Sequence, residues 1–216
     1  MKIELVLEET FTNSTWAHGT TTELYIYPND GNYLKRHFKW RVSTATVDID
    51  SSEFTSLYGV KRWIMSFDNP LHLTHTNNGK TLYSITLNAY ESHCFRGDWT
   101  TICEGRASDF NLMLKGDANG IMKSTKLMEN IGKELGLSFY EAFDDRLPLD
   151  GHQLTLGLYS RNGHFQLIDK SEVIDVPQKA LLLIHFKMDE IDEVKQMVIK
   201  SLSSDTNRMA LFVVTY

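Results

Sequence analysis

The stretch Arg106-Ala107-Ser108-Asp109-Phe110-Asn111-Leu112-Met113-Leu114 constrains the fold more than any other part of this 216-residue chain. Its alternation is strict: Phe110, Leu112 and Leu114 point one way, Asp109, Asn111 and Met113 the other. A period of two demands a strand, and one of its faces is made for a core. Asp and Asn are poor strand formers. An acid and an amide side by side on one face therefore need a reason, either a hydrogen bond that pins a neighbouring loop or a pocket.

The same period recurs along the chain. Alternating runs over 23–27, 38–47, 61–67, 71–76, 82–87, 99–103, 154–159, 163–169, 180–187 and 209–216 predict further strands. Turn signals separate them, among them Pro28-Asn29-Asp30-Gly31, Asn77-Asn78-Gly79-Lys80 and Arg161-Asn162-Gly163. Short strands with turns every eight to twelve residues make an all-β barrel or sandwich, not alternating β and α. Gly116-Asp117-Ala118-Asn119-Gly120 reads as a boundary, dividing an N-terminal domain, 1–116, from a second, 117–216. Two stretches, 121–150 and 188–200, leave their secondary structure open. Leu127, Ile131 and Leu135 have helical spacing, yet Gly132 and Gly136 weaken a helix there. Ile191, Val194 and Val198 suit a helical turn or a strand edge equally.

Charge narrows the partners. Lys and Arg number 22 against 28 Asp and Glu, a formal net charge of −6, and no basic cluster points to nucleic acid. No apolar run approaches a membrane span. The N-terminus alternates like a strand and lacks a signal peptide's apolar block, so a cytoplasmic setting is expected. Cys94 and Cys103 offer no disulfide framework and read as small buried hydrophobes. Among eight His, none pair at alternate positions of one strand; His72 and His75, three apart, face opposite ways. His93, His152, His164 and His185 lie in separate segments. The expectation is a protein without metal or other cofactor. No Gly-x-Ser-x-Gly or Cys with an evident base suggests a nucleophile, and Asp144, Asp145 and Asp150 near Pro148 read as turn residues.

What remains is polar and inward. Arg41 shares its strand face with the small Ser43 and Ala45, which leaves room above its guanidinium. Its planar fork binds a carboxylate through two parallel hydrogen bonds, Asn111 both donates and accepts, and Asp109 receives an amide N–H or orients the arginine. Arg62 joins the set from the start of its strand, and Phe95, with Trp40 beside it, is a candidate wall. The competing expectation is a structural Arg41–Asp109 ion pair.

Five segments then occur in one order: Trp16-Ala17-His18-Gly19 with Thr22-Glu23-Leu24; Trp40-Arg41-Val42-Ser43-Thr44-Ala45; Phe54-Thr55-Ser56-Leu57-Tyr58-Gly59-Val60-Lys61-Arg62; Phe95-Arg96-Gly97-Asp98; and Asp109-Phe110-Asn111-Leu112-Met113. Together they resemble the HutD/Ves family over the first 115 residues or so. The resemblance implies a double-barrel cupin, a jelly-roll-like bicupin, and a tie in some members to histidine breakdown, which the protein senses or restrains. The chain departs from the family at Ala17-His18-Gly19 and Thr22-Glu23, where an Asn-Gly-Gly-type turn and a Thr-Arg pair are often found. The expected function is a metal-free cupin binding a small carboxylate metabolite, with N-formylglutamate or a related product as candidate and Arg41 on its carboxylate. A metal-independent isomerase or hydrolase of a small acid is the alternative, and a vestigial pocket in an interaction protein a third. Whether a reaction is catalysed, and the oligomeric state, are left open.

Overall fold

The computed structural model describes residues 1–16, 19–136, 153–203 and 207–216. Ala17, His18, His152 and the acidic group of Asp144, Asp145 and Asp150 lie outside the described residues. The fold is all-β, and helix among the described residues is limited to short segments such as α1 (Ile191–Gln196).

The chain forms two compact units, Phe11–Ala118 and Met1–Thr10 with Asn119–Tyr216. The first has a six-stranded antiparallel sheet in the order β2 (Thr12–Trp16), β3 (Gly19–Tyr27), β4 (Trp40–Val47), β11 (Ala107–Lys115), β6 (Val60–Ser66), β9 (Ser92–Arg96). Its second sheet runs β5 (Ser51–Glu53), β10 (Thr100–Glu104), β7 (Leu71–Asn77), β8 (Lys80–Leu87). Ile64, Phe95 and Ala107 from the larger sheet pack with Leu71, Leu73, Leu87 and Cys103 from the smaller. Each expected barrel is thus a pair of sheets with a shared core. Burial of Cys103 in that core pushes its thiol up to about 12, so it stays protonated.

The strand at 107–115 sits between β4 and β6 and is bonded to both. Every residue from Ala107 to Leu114 is buried. The polar face therefore meets the interior of its own unit and not bulk water.

The second unit pairs a sheet of β1 (Lys2–Val6), β17 (Leu181–Phe186), β14 (Leu154–Tyr159), β19 (Asn207–Thr215), β12 (Asn119–Leu127) with one of β13 (Gly132–Glu134), β18 (Val198–Ser201), β15 (Phe165–Asp169), β16 (Glu172–Val176). Leu154, Leu156, Leu158, Leu182 and Ile184 meet Phe165, Leu167 and Ile199 in its core. The expected division at 116/117 kept residue 1 with the N-terminal domain. Instead β1 pairs with β17, Val6 opposite Leu181 and Lys2 opposite His185, so the first ten residues belong to the other unit. The helical spacing of Leu127, Ile131 and Leu135 is overridden: Leu127 ends β12 and Gly132 opens β13.

Gly19 is required for close approach. A Cβ there would stand 1.9 Å from the carbonyl oxygen of Thr46, which is backbone and has no flexible way out. Gly19→Ala is expected to cost about 1–3 kcal/mol, the usual cost of overpacking. A denaturant midpoint equal to wild type would show that the two strands do not approach so closely. No helix of the described residues is long and apolar enough to cross a membrane.

Candidate functional site

Register assembles the site. Along β4 and β11, Ala45 lies opposite Asp109, Ser43 opposite Asn111 and Arg41 opposite Met113. On the other flank β6 sets Arg62 opposite Met113 and Ile64 opposite Asn111. Directly opposed residues share a face, so Arg41, Ser43, Ala45, Arg62, Asp109, Asn111 and Met113 all look the same way. They line a cavity of ≈ 350 Å³, together with Trp16, Tyr33, Glu53 and Phe54. That size suits a small metabolite.

Arg62 is the centre of this arrangement. Only 6% of it is exposed, although an arginine opening a strand is expected in solvent. Its guanidinium carbon lies 4.8 Å from the Phe54 ring centroid and 5.2 Å from that of Phe95, two cation–π contacts on a desolvated charge. Nη2 donates to Asn111 Oδ1 at 3.3 Å, and the buried Nε has no partner among the described residues. Burial lowers the pKa of this guanidinium, with Tyr33 and Asp109 pulling the other way.

Asn111 is held at both ends, since its Nδ2 donates to Asp109 Oδ1 while its Oδ1 accepts from Arg62. Asp109 is buried as deeply as the core. Desolvation pushes its carboxyl up to about 7, with Arg62 and the Asn111 bond opposing and Asp68 adding to the rise. A carboxyl near 7 holds or releases a proton at neutral pH.

Arg41 is placed differently from expectation. Nε donates to Glu23 Oε2 at 2.5 Å and Nη1 to Ser43 Oγ at 2.9 Å, and the guanidinium covers the Tyr33 ring at 4.4 Å. Glu23, not Asp109, is its acidic partner. A β-bulge produces this. Between Glu23 and Tyr25 the β3–β4 register slips by one, so Glu23 pairs with Ser43 but Tyr25 with Val42. One extra residue reverses the faces that follow. Glu23 stays on the cavity side, while Tyr25 and Tyr27 turn away to stack on Trp40 at 5.0 and 5.9 Å. Trp40 is therefore no wall of the site. Phe95, also proposed as a wall, is a core residue that lies behind the lining, stacked on Phe54 and beneath the Arg62 guanidinium. Glu23, Tyr33 and Phe54 were missed because pairing and loop packing, not local pattern, bring them in.

Among the described residues the cavity holds carboxylates of Glu53 and Asp109 but no histidine, and two buried guanidiniums repel a cation. The residues present do not fit a metal there. Among the described residues no group of three or more His, Cys, Asp and Glu side chains could hold one either. A separate polar cluster lies between β7, β8 and β9. His75 Nδ1 is 2.9 Å from Thr101 Oγ1, His75 Nε2 is 3.1 Å from His93 Nε2, and Tyr83 Oη is 3.3 Å from His93 Nε2. Burial lowers the pKa of both rings, that of His75 to about 4, so both are neutral at pH 7.

The model of the HutD family matches residues 8–134, more than half of the chain. The chain belongs to the HutD family. Among solved structures it is similar to a conserved protein of unknown function from Pseudomonas aeruginosa PAO1, with 17% identity, full coverage of both chains and a TM-score of 0.71. It is also similar to HutD from Pseudomonas fluorescens SBW25, with 17% identity, 99% and 98% coverage and a TM-score of 0.63. Oxalate decarboxylase from Lactobacillus farciminis shares 7% identity over 98% of this chain and 85% of that one, with a TM-score of 0.63. At these identities the likeness is one of fold, and it is the cupin fold. No curated protein matches the sequence. Within this HutD-family chain, Glu23 is the residue that engages Arg41.

Proposed function

We propose that this HutD-family cupin binds a small carboxylate metabolite in the cavity of its Phe11–Ala118 unit and acts through that binding as a regulator of histidine utilisation. The observation that carries the reading is Arg62, a buried guanidinium whose Nε finds no acceptor among the described residues, beside a cavity of metabolite size. A buried donor without a partner costs free energy that a ligand carboxylate recovers. Arg62 is the anchor, Asn111 the orienting amide, and Asp109 the acceptor for an N–H of the ligand, a set suited to an acylated amino acid such as N-formylglutamate. Arg41, with two nitrogens already engaged, assists. The HutD of P. fluorescens was solved in a formate condition and the oxalate decarboxylase as a formate complex, both consistent with carboxylate chemistry. The reading takes the protein as cytoplasmic, with neither nucleic acid nor membrane as partner.

A metal-independent enzyme is the second reading, favoured by one observation, the Asp109 carboxyl poised near 7 as an acid or base. Titration of the protein with formate, succinate and N-formylglutamate, followed by NMR of the Asn111 side-chain amide and of the acids, separates these. Saturable shifts without turnover support the binder, and turnover supports the enzyme. No shift with any acid at millimolar concentration defeats both.

Glu23 gives a test of the pocket's charge. Glu23→Gln removes the carboxylate that balances Arg41 and is expected to tighten binding of a carboxylate several-fold, of the order of 1 kcal/mol. Unchanged affinity would mean that Arg41 does not contribute to the field in the cavity.

A further inference from the structure

The cluster of His75, His93 and Tyr83 lies outside the arginine cavity and serves no step of the reading above. His75 comes from β7, Tyr83 from β8 and His93 from β9, so the three meet only through pairing and packing. His93 Nε2 is within reach of both His75 Nε2, at 3.1 Å, and Tyr83 Oη, at 3.3 Å. A ring nitrogen has one in-plane position, holding either a proton or a lone pair. It therefore serves one of these neighbours well and not both, whichever tautomer is present.

An ion set among the three atoms would use all of them. Imidazole binds zinc at about 2.0–2.1 Å, so two ligands of a tetrahedral site stand roughly 3.3 Å apart. The two measured edges have that length. An outer partner is also in place: Thr101 Oγ1 lies 2.9 Å from His75 Nδ1 and can accept from it in the Nδ1–H tautomer, the one that puts the lone pair on Nε2. Phe95 and Trp99 close the inner side, with ring centroids 4.8 and 5.7 Å from that of His75. His75 is fully buried, His93 half-buried and Tyr83 38% exposed, which gives an ion a way in and a water-facing fourth position.

We propose that His75, His93 and Tyr83 form a binding site for a divalent transition ion of the imidazole-favouring class. On binding, the hydrogen bond between the rings is replaced by two nitrogen–metal bonds. Each imidazole takes its Nδ1–H tautomer, and Tyr83 contributes oxygen as phenol or, after releasing its proton to water, as phenolate. This departs from the metal-free expectation, which rested on the lack of a His pair at alternate positions of one strand and set a chance cluster of scattered His aside.

The probe is Zn²⁺, titrated calorimetrically into chelator-treated protein, with the histidine ring signals followed by NMR. One ion per chain is expected, shifting the ring signals of His75 and His93 and leaving those of His72 and His164 in place. His93→Gln should weaken binding at least about tenfold, and Tyr83→Phe by a smaller factor, while both keep the wild-type circular dichroism. Absence of saturable one-to-one binding, or uptake by His93→Gln equal to wild type, would overturn the proposal. Should His93→Gln fail to fold, the wild-type ring signals decide: shifts confined to other histidines would overturn it as well.

Discussion

Asp109→Asn is expected to stabilise the protein by about 2–4 kcal/mol above pH 7 and to have little effect near pH 4. The buried carboxyl holds its proton up to about 7 in the folded protein, but releases it near the ordinary value of 3.8 once unfolded. At the acid end both states are protonated and nothing is gained or lost. Between those values the unfolded chain has lost its proton and the folded one has kept it, so stability falls as pH rises. Above 7 the cost of a buried carboxylate is present in full. Arg62 and the Asn111 amide already oppose it, Asp68 adds to it, and the rise is what remains after these. Asparagine keeps the oxygen that accepts from Asn111 Nδ2 and has no proton to lose. Denaturant melts at pH 4, 6 and 8 for both proteins give the answer. Two parallel pH profiles would show that Asp109 titrates like an exposed acid. The same titration bears on ligand binding, because an anion enters more readily while Asp109 is protonated. Affinity for a carboxylate should fall as pH rises through about 7 and should lose that fall in Asp109→Asn.

Arg62→Ala is expected to weaken binding of a small carboxylate by about 1.5–3 kcal/mol, roughly ten- to a hundredfold. Its Nε is a buried donor with no acceptor among the described residues, and its guanidinium is held in place by Phe54 and Phe95. Arg62→Lys should recover only part of the loss, because an ammonium lacks the planar fork and stacks less well on two rings. Arg41→Ala should behave differently. It strips Glu23 of its partner and leaves that carboxylate half-buried, so stability falls more than affinity. Calorimetric titration with N-formylglutamate and thermal melts of the three variants separate the roles. Arg62→Ala that binds as wild type, or Arg41→Ala that loses more affinity than Arg62→Ala, would displace Arg62 as the anchor.

Period two is what made this site legible. Asp109 with Asn111, and Arg41 with Ser43 and Ala45, could each be placed on one strand face without knowing which strands are neighbours. The roles within the site were less legible, because they depend on pairing. Arg62 reads as a solvated strand end until β6 is known to lie against β11, where it becomes buried. The choice of Glu23 as the partner of Arg41 depends on a bulge, and nothing in Thr22-Glu23-Leu24-Tyr25 marks one, for no glycine stands there. His75 and His93 are hidden for the same reason, since their approach is made across sheets and not along a strand. In the second half, Gly132 argued against the helical spacing of Leu127 and Ile131 and had the better physics, for it opens β13, whereas Leu135 and Gly136 are helical. The stretch 188–200, which suited either state, contains both: helix α1 and then strand β18.

The pairing of β1 with β17 bears on how the chain is made. Phe11–Ala118 is one unbroken segment, so during synthesis all its strands emerge before the other unit has more than its first ten residues. The other unit closes only when Leu181–Phe186 has been produced and the start of the chain has come back to it. Contacts between such distant segments carry a large loop-closure entropy and form late. A growing chain would therefore hold a finished Phe11–Ala118 unit while β1 waits as an unpaired strand. Cutting the gene at the apparent boundary would leave β17 with an open edge, the kind that invites another chain.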